Sequence, residues 1–550
     1  MRDEKCDLLI VGSGATGLAA AAASRGLNTL IVEQAATVGG TSSYSGGCVW
    51  IPGNSVTRKQ GVRDSPEQGR LHLDALLGAP RDDQPESSSA RRDAFLHAGP
   101  NMVSLLTESG FKWTSERSTY PDYHPYLPGA CPAGGRTLDP AVVNISPKLL
   151  GPWTDYVAYS TKPPVARFQD FATLTRPLSS LGTMAKVWWM VFKSKLAGLV
   201  GSPVCMGSSL VAQLLSICWR NGNVRIYRDT ELIRLETENG VVVGGVLQQG
   251  DIQVRVRASA VLLATAGFSR NQEMRDLFLP KPTSVTWSLS NPCGDTGSAL
   301  RLCKPLEAAS ASLDKVWGIS TMRDPATGTV TNCCFEMARP YSIAVNQSGN
   351  RFVCESAPYG DIVDISLCGG KSTARTWLIM DWNYRKRYNV GMLPPRAAST
   401  SLMTAGSIAE LACKMEVPAA NLESTVSRWN AACETGEDQD FGRGGDAYQR
   451  FIGDPNVRPN PNMGPISLPP YSAVEIYPGD AGTRGGLLTD EHARVVKTDG
   501  SVIQGLYAAG NASASIVTGG APGAGGTLGP AMTFAYIAVD HVRQTIGKQH

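Results

Sequence analysis

Cys6-Asp7-Leu8-Leu9-Ile10-Val11, followed by Gly12-Ser13-Gly14-Ala15-Thr16-Gly17 and the alanine-rich Leu18 to Ser24, decides how this chain begins to fold. The first six residues are a short apolar run of strand length and the last seven favour helix, so a strand, a glycine turn and a helix follow one another. Gly12 permits the tight turn, Gly14 lets the backbone approach a pyrophosphate, and Gly17 lets helix pack on strand; the helix N-terminus offers unpaired N–H groups to phosphates. A second strand, Asn28-Thr29-Leu30-Ile31-Val32, ends at Glu33. An acidic residue about 20 positions after the first glycine fits a free ribose 2′-hydroxyl and repels a 2′-phosphate. The expected ligand is a dinucleotide of the FAD or NAD type rather than NADP. Near the other end, Gly505-Leu506-Tyr507-Ala508-Ala509-Gly510-Asn511 and the Pro522-Gly523-Ala524-Gly525-Gly526 loop answer the first motif. Two such ends meeting around one cofactor point to a flavoprotein.

At 550 residues the chain exceeds one ordinary core, so two domains, or one large domain with an insertion, are expected. With 42% hydrophobic and 18% charged residues it belongs with soluble globular proteins. A formal net charge of +3 with no basic stripe gives no support to nucleic-acid binding. The 13 cysteines are scattered without a CxxC, which suggests reduced thiols, no metal site and a cytoplasmic location. The first strand begins so close to Met1 that no signal peptide is expected, and Lys548-Gln549-His550 is no targeting tripeptide. Val187-Trp188-Trp189-Met190-Val191-Phe192 is too short to span a membrane before Lys193 and Lys195 interrupt it. It reads either as a packed helix with snorkelling lysines or as an interfacial helix in peripheral contact with a membrane or partner.

After Glu33, Val38-Gly39-Gly40-Thr41-Ser42-Ser43-Tyr44-Ser45-Gly46-Gly47 has the small residues of a loop laid along a cofactor. Positions 53 to 100 are expected to be mostly helical, and 119 to 140 form a Tyr-, Pro- and Gly-rich loop long enough to carry function. From Val224 to Val256 the pattern is a meander of short antiparallel strands. It leads into Ala260-Val261-Leu262-Leu263-Ala264-Thr265-Ala266-Gly267, an apolar strand suited to burial in a parallel sheet. The expected fold is therefore α/β: a Rossmann-like FAD-binding domain in two pieces, 1–316 and 464–550, with an antiparallel meander and an inserted α+β catalytic cap at 317–463.

The Gly-Ser-Gly turn, Gly39-Gly40-Thr41-Ser42, Tyr44-Ser45-Gly46-Gly47, Trp50-Ile51-Pro52, Gly294-Asp295-Thr296-Gly297 and the run from Gly505 to Gly529 together resemble the 3-ketosteroid dehydrogenase branch of the fumarate reductase and succinate dehydrogenase flavoproteins. The resemblance covers nearly the whole chain. It implies non-covalent FAD and an active site at the interface of the FAD domain and the cap. There two hydrogens leave adjacent carbons beside a ketone, the β-hydride going to flavin N5. Cofactor contacts implied are Gly12, Ser13, Gly14, Ala15, Thr16, Gly17, Glu33, Gln34, Gly40, Thr41, Ser42, Ser45, Gly46 and Gly47. From later in the chain come Ala266, Gly267, Asp295, Gly510, Asn511, Gly526 and Leu528. Within Glu355-Ser356-Ala357-Pro358-Tyr359, Tyr359 matches the tyrosine that takes the α-proton. Tyr123 of Pro121-Asp122-Tyr123 matches the one that assists it, and the Gly525 N–H matches the donor to the substrate carbonyl.

One departure stands out. The family pattern Tyr-Pro-Gly-x-Gly is here Ala521-Pro522-Gly523-Ala524-Gly525, so the second carbonyl donor is missing from the expected substrate pocket at Ala521 and Pro522. Losing one preorganised oxyanion donor costs about 10² to 10³ in rate, which implies a substitute donor or a shifted substrate such as a terpenoid or polyketide ketone. Arg351 and Glu355 suit a helical i,i+4 ion pair or a substrate clamp, and His124 is a rival base. Asn511 to Pro530 contains no His or Arg to hold a carboxylate, which argues against reduction of acidic substrates. Without a second complete strand-plus-GxGxxG unit, the expected external acceptor is oxygen or a quinone. A C=C reductase and a non-catalytic flavin-binding protein are the alternatives.

Overall fold

The structure, a computed structural model, describes residues 2–114, 116, 118–157 and 165–547. The first strand, Arg2–Val11, lies between two parallel neighbours, Thr29–Val32 and Ile252–Leu263, so Leu8 to Val11 are covered on both faces. This double burial is why the run is uninterruptedly apolar. Val224–Tyr227 extends the sheet beyond Thr29–Val32. On the other side Val261, Leu262 and Leu263 pair in parallel with Leu506, Tyr507 and Ala508, so chain segments some 500 residues apart share one sheet. The antiparallel meander expected from Val224 begins only at Thr230: Thr230–Glu238, Val241–Gln249 and Ile252–Leu263 pair antiparallel, whereas Val224–Tyr227 is a parallel strand of the main sheet, its edge taken by Thr29–Val32.

The first helix, Ala15–Ala23, is buried on every side, which removes any need for a polar face. It packs against the closing helix Leu528–Gly547 and leans directly on the glycine turn. A Cβ on Gly17 would lie 1.9 Å from the Gly12 carbonyl oxygen and 3.2 Å from Ile10 Cγ2. The helices expected in 53 to 100 are Ser55–Lys59, Pro66–Leu77 and Ser89–Glu108.

The cap is built on a six-stranded antiparallel sheet. Val330–Asn332, Val316–Arg323, Tyr471–Thr483, Thr376–Met380 and Ser342–Asn346 follow one another in space, and Met403–Ala405 also pairs with Tyr471–Thr483. A domain boundary at 464 assigns Tyr471–Thr483 to the FAD-binding part, whereas the strand lies in the middle of the cap sheet. Its hydrogen-bonding edges are taken by antiparallel partners, Thr321 opposite Tyr477 and Leu378 opposite Val474. The helix Tyr359–Cys368 lies on this sheet, with Val363 seated against Gly318, where a Cβ would approach Val363 Cβ to 2.7 Å. That contact sets the height of Tyr359, the helix's first residue.

The apolar stretch around Trp188 is the helix Leu181–Val200. Its buried residues are Thr183 and Ser194, while Trp188, Trp189, Phe192, Leu196, Leu199 and Val200 face outward, so it is not the packed helix that one sequence alternative described. No helix among the described residues is long and apolar enough to cross a membrane.

Gly17→Ala should lower unfolding free energy by about 3 kcal/mol and empty the flavin site together, because the added methyl must displace backbone rather than a flexible side chain. Denaturant melts and the flavin absorbance of the purified protein check this; an unchanged midpoint with full flavin content would contradict it.

Candidate active site

A cavity of ≈ 420 Å³ runs between the parallel sheet and the cap. Along its wall on the first motif lie Gly12, Ser13, Gly14, Thr16, Glu33 and Gln34. The next loop adds Gly40, Thr41, Ser42, Ser45, Gly46 and Gly47, and later segments bring Ala266, Asp295, Gly510, Asn511, Gly525 and Leu528 to the same space. Ala15, Gly17, Gly267 and Gly526 stand behind the wall. Ala15 N–H donates to Ser42 Oγ at 3.0 Å, Gly267 N–H to Asp295 Oδ1 at 3.0 Å, and Gly526 N–H to the Gly523 carbonyl at 3.0 Å. Ala521 and Pro522 do not line the cavity. The Pro522 carbonyl instead accepts from Tyr123 N–H at 3.2 Å, and Ala521 is buried in the core of the FAD domain.

The residues on this wall fit an adenine dinucleotide. Cβ atoms on Gly14 or Gly40 would meet nothing closer than 3.5 Å and 3.9 Å, so both glycines leave space a side chain would fill. Thr265 Oγ1, also on the cavity, is buried without a hydrogen-bond partner among the described residues. Glu33 Oε2 accepts from Ser13 N–H at 2.9 Å and Ser13 Oγ at 2.6 Å, and Oε1 from Ala35 N–H at 3.0 Å. Those bonds aim the carboxylate and leave lone-pair capacity for a ribose hydroxyl. Asp295 ties two of the loops together: its Oδ2 accepts from Thr41 Oγ1 at 2.8 Å, while Thr41 Oγ1 accepts from Asn291 N–H at 2.9 Å. Burial pushes the Asp295 carboxyl up to about 6, against the two hydrogen bonds that favour its charged form.

The opposite wall is aromatic. Tyr123 Oη donates to Tyr359 Oη at 2.8 Å, with the rings edge to face at 5.2 Å. Tyr123 comes from the long loop and Tyr359 from the cap, so the pair bridges the two domains. Asp122 pins the loop: Oδ1 accepts from Trp50 Nε1 at 2.8 Å, and Oδ2 from Arg136 Nη1 at 2.9 Å and Cys131 N–H at 2.9 Å. Tyr448, 4.9 Å from the Tyr123 ring, and Tyr120, 5.4 Å from Phe168, complete a cluster of four phenols on the cavity. Neither was picked out from the sequence. The Tyr448 helix, Ala447–Ile452, carries no motif, and the burial that makes a tyrosine at this position matter arises only when the domains meet. Burial pushes the Tyr359 hydroxyl up, and the hydrogen bond received from Tyr123 works against that. Gly525, with φ +93°, accepts at its carbonyl from Trp50 and Gly529 N–H, while its own N–H donates to no group among the described residues.

His124 does not line the cavity. Its Nδ1 lies 3.3 Å from Tyr126 Oη and its Nε2 3.5 Å from Asp361 Oδ2, and burial lowers its pKa to about 4. Arg351 and Glu355 do pair, at 2.8 Å, but in a non-helical segment away from the cavity, where Asp438 and Arg443 complete a buried charge cluster. They are no substrate clamp. No Lys, Arg or His lines the cavity among the described residues.

The family profile for the FAD binding domain matches residues 7–528. The 3-oxosteroid 1-dehydrogenase of Mycobacterium tuberculosis is 36% identical over the full length of both chains. The chain belongs to the 3-ketosteroid dehydrogenase branch of the fumarate reductase and succinate dehydrogenase flavoproteins. The 4-oxocyclohexanecarboxylate 2-dehydrogenase of Sinomonas cyclohexanicum is also 36% identical, over 97% of this chain and 92% of its own. Among solved structures, the 3-ketosteroid delta1-dehydrogenase of Sterolibacterium denitrificans, in complex with 1,4-androstadiene-3,17-dione, superposes with a TM-score of 0.90 at 32% identity, covering 98% of this chain and 100% of its own. The protein is an FAD-dependent oxidoreductase acting on CH–CH groups of a small-molecule ketone.

Because folded Asp295 holds its proton to about pH 6 and a free aspartate releases it near pH 4, folding takes up a proton between those values. Its contribution to stability is therefore fullest below about pH 4 and is lost as pH rises to about 6. Asp295→Asn should flatten this part of the stability profile by about 1 kcal/mol per pH unit relative to the parent, measured by denaturant melts at several pH values. Parallel profiles would refute the assignment.

Proposed function

We propose that this enzyme introduces a C=C bond α,β to the carbonyl of a neutral, apolar cyclic ketone of the steroid class or a polycyclic ketone of similar size. The observation that carries this reading is the 2.8 Å hydrogen bond from Tyr123 to Tyr359 across the domain interface, opposite the glycine wall. FAD held non-covalently in the cavity supplies the two-electron acceptor for the β-hydride. Tyr359 takes the α-proton. A phenol is a weak base at neutral pH, so two conditions must hold: its oxygen must be stabilised as it gains charge, and the α-C–H must be acidified. Tyr123 meets the first by donating to that oxygen, and Gly525 N–H meets the second by polarising the carbonyl. For the second donor, absent at Ala521, we assign the Tyr120 and Tyr448 pair, which line the same space.

The two relatives of equal identity act, by their names, on a 3-oxosteroid and on a cyclohexane carboxylate. Burying a carboxylate without a counter-ion is costly, and this cavity presents no cationic side chain among its described lining residues. Phe168, Phe171, Phe335 and Ile452 instead offer apolar surface. That balance favours the neutral substrate. Oxygen or a quinone is proposed as the acceptor that regenerates the flavin.

Tyr359→Phe should retain bound flavin yet lose about 10³-fold or more of kcat for desaturation, since the base is gone while the cofactor wall is untouched. Rapid mixing of the anaerobic enzyme with 4-androstene-3,17-dione reads flavin bleaching directly; a parental bleaching rate would remove Tyr359 from the chemistry. In the same assay, 4-oxocyclohexanecarboxylate should bleach the parent enzyme far more slowly than the uncharged steroid. Equal rates would overturn the neutral-substrate reading.

A further inference from the structure

Four side-chain amides line the cavity among the described residues: Gln34, Asn291, Asn511 and Asn332. Three are tied to the protein. Gln34 Nε2 donates to the Cys293 carbonyl at 2.6 Å, Asn291 Oδ1 accepts from Cys293 N–H at 3.0 Å, and Asn511 Oδ1 accepts from Trp317 Nε1 at 3.1 Å. All three belong to the FAD-binding part. Asn332 comes from the cap, at the end of Val330–Asn332, and its amide makes no hydrogen bond to any described residue.

The backbone fixes where this amide stands. Asn332 is opposite Thr321 in an antiparallel pair, so both side chains share a face of the cap sheet with Ile319, two residues before Thr321. Ile319 and Asn332 both line the cavity, which makes that face its wall. Two residues on, Cys334 also lines it and lies within electrostatic reach of the Tyr120, Tyr359 and Tyr448 hydroxyls. The wall therefore leads from the phenols through Cys334 to Asn332, up to about 7 Å further on by the reach of two residues. Thr321 Oγ1 donates to the Trp287 carbonyl at 3.1 Å, so this end of the wall adjoins the Trp287 segment. The surface beside the path is apolar. Phe335 follows Cys334 and holds its ring 6.5 Å from those of both Phe168 and Phe171.

Asn332 is half-buried, so water reaches its amide until a ligand covers it. A ligand that fills this end strips that water, and an amide left unpaired under apolar surface then disfavours binding. The ligand that suits the site brings an oxygen there.

We propose that Asn332 is a second polar anchor of the substrate site, its Nδ2–H donating to an oxygen at the end of the substrate remote from the ring being desaturated. This rests on the desaturase reading above and sharpens it: the substrate carries two oxygen functions, the reacting ketone at Gly525 and a distant ketone or hydroxyl at Asn332. A ketone oxygen only accepts, so the donor half of the amide meets it, whereas a hydroxyl uses either half.

Dienone products do not reduce the flavin, so titrating them into the oxidised holoenzyme and reading the shift in flavin absorbance measures affinity apart from turnover. The parent should bind 1,4-androstadiene-3,17-dione about tenfold or more tighter than the same dienone without its 17-oxygen. Asn332→Leu should bring the two to within about twofold by weakening the first. Asn332→Asp should reverse the choice between 17-oxo and 17-hydroxy dienones, because a carboxylate accepts from a hydroxyl and repels a ketone oxygen. Both variants should keep parental flavin content. Equal affinity of the parent for the 17-oxo and 17-deoxo dienones overturns the anchor and leaves the desaturase reading standing, as does an undiminished preference in Asn332→Leu. A parent that binds neither dienone overturns the steroid class proposed above, and the anchor with it.

Discussion

The strand Ile252–Leu263 holds the molecule together. Leu262 is registered with Ile10 on one side and Tyr507 on the other, so a single buried strand fastens the first segment of the chain to the last. Each parallel pairing is unexceptional in strength, but together they force Gly12–Gly17 and Gly510–Leu528 onto one cavity. The cofactor wall cannot exist unless the chain closes in this way. The same closure sends residues 264 to 505 out as one excursion, and all six strands of the cap sheet are built within it.

Two kinds of positioning then make the site. On the FAD side, close backbone approach does the work: Gly12, Gly17 and Gly525 sit at distances that leave no room for a Cβ, for example 2.6 Å from a notional Gly525 Cβ to the Cys48 carbonyl carbon. On the aromatic wall, side chains do it. Asp122 fastens the Tyr123 loop through Trp50, Cys131 and Arg136, and Val363 against Gly318 fixes the helix that begins at Tyr359. The hydrogen bond between the two phenols is where these separately positioned parts meet. Its place at a domain junction also means that motion between domains would alter the basicity of Tyr359 by lengthening one bond.

The departure at Ala521 takes a different meaning in the folded protein. From the sequence it is a missing donor in a substrate pocket. In the structure Ala521 lies in the core of the FAD domain and outside the cavity, while two tyrosines that belong to no sequence motif line that cavity next to Tyr123. A polar group lost at one loop position is set beside polar groups contributed by other elements, and the count of donors can be made only in three dimensions. His124 shows the converse: adjacent to Tyr123 in sequence, it points to Asp361 and Tyr126 rather than into the cavity.

What the sequence determined by itself is whatever depends on local periodicity and backbone permissiveness. The apolar run, the glycine spacing, the Ala-rich helix and Glu33 specify a dinucleotide fold because strand, turn and helix are short-range structures with short-range signals. The buried strand ending at Leu263 and the meander from Thr230 were legible for the same reason, whereas the parallel pairing of Val224–Tyr227 with Thr29–Val32 was not. Tertiary structure alone decided which edges pair, so Tyr471–Thr483 lies in the cap sheet although no local signal distinguishes a strand of one sheet from a strand of another. It alone gathered four phenols from three distant segments, and it alone turned the face of Leu181–Val200 outward. In that helix the sequence permits either burial or exposure of the tryptophans. The choice is made by Thr183, Ser194 and the anchored ends, whose contacts arise only once the rest of the chain is in place.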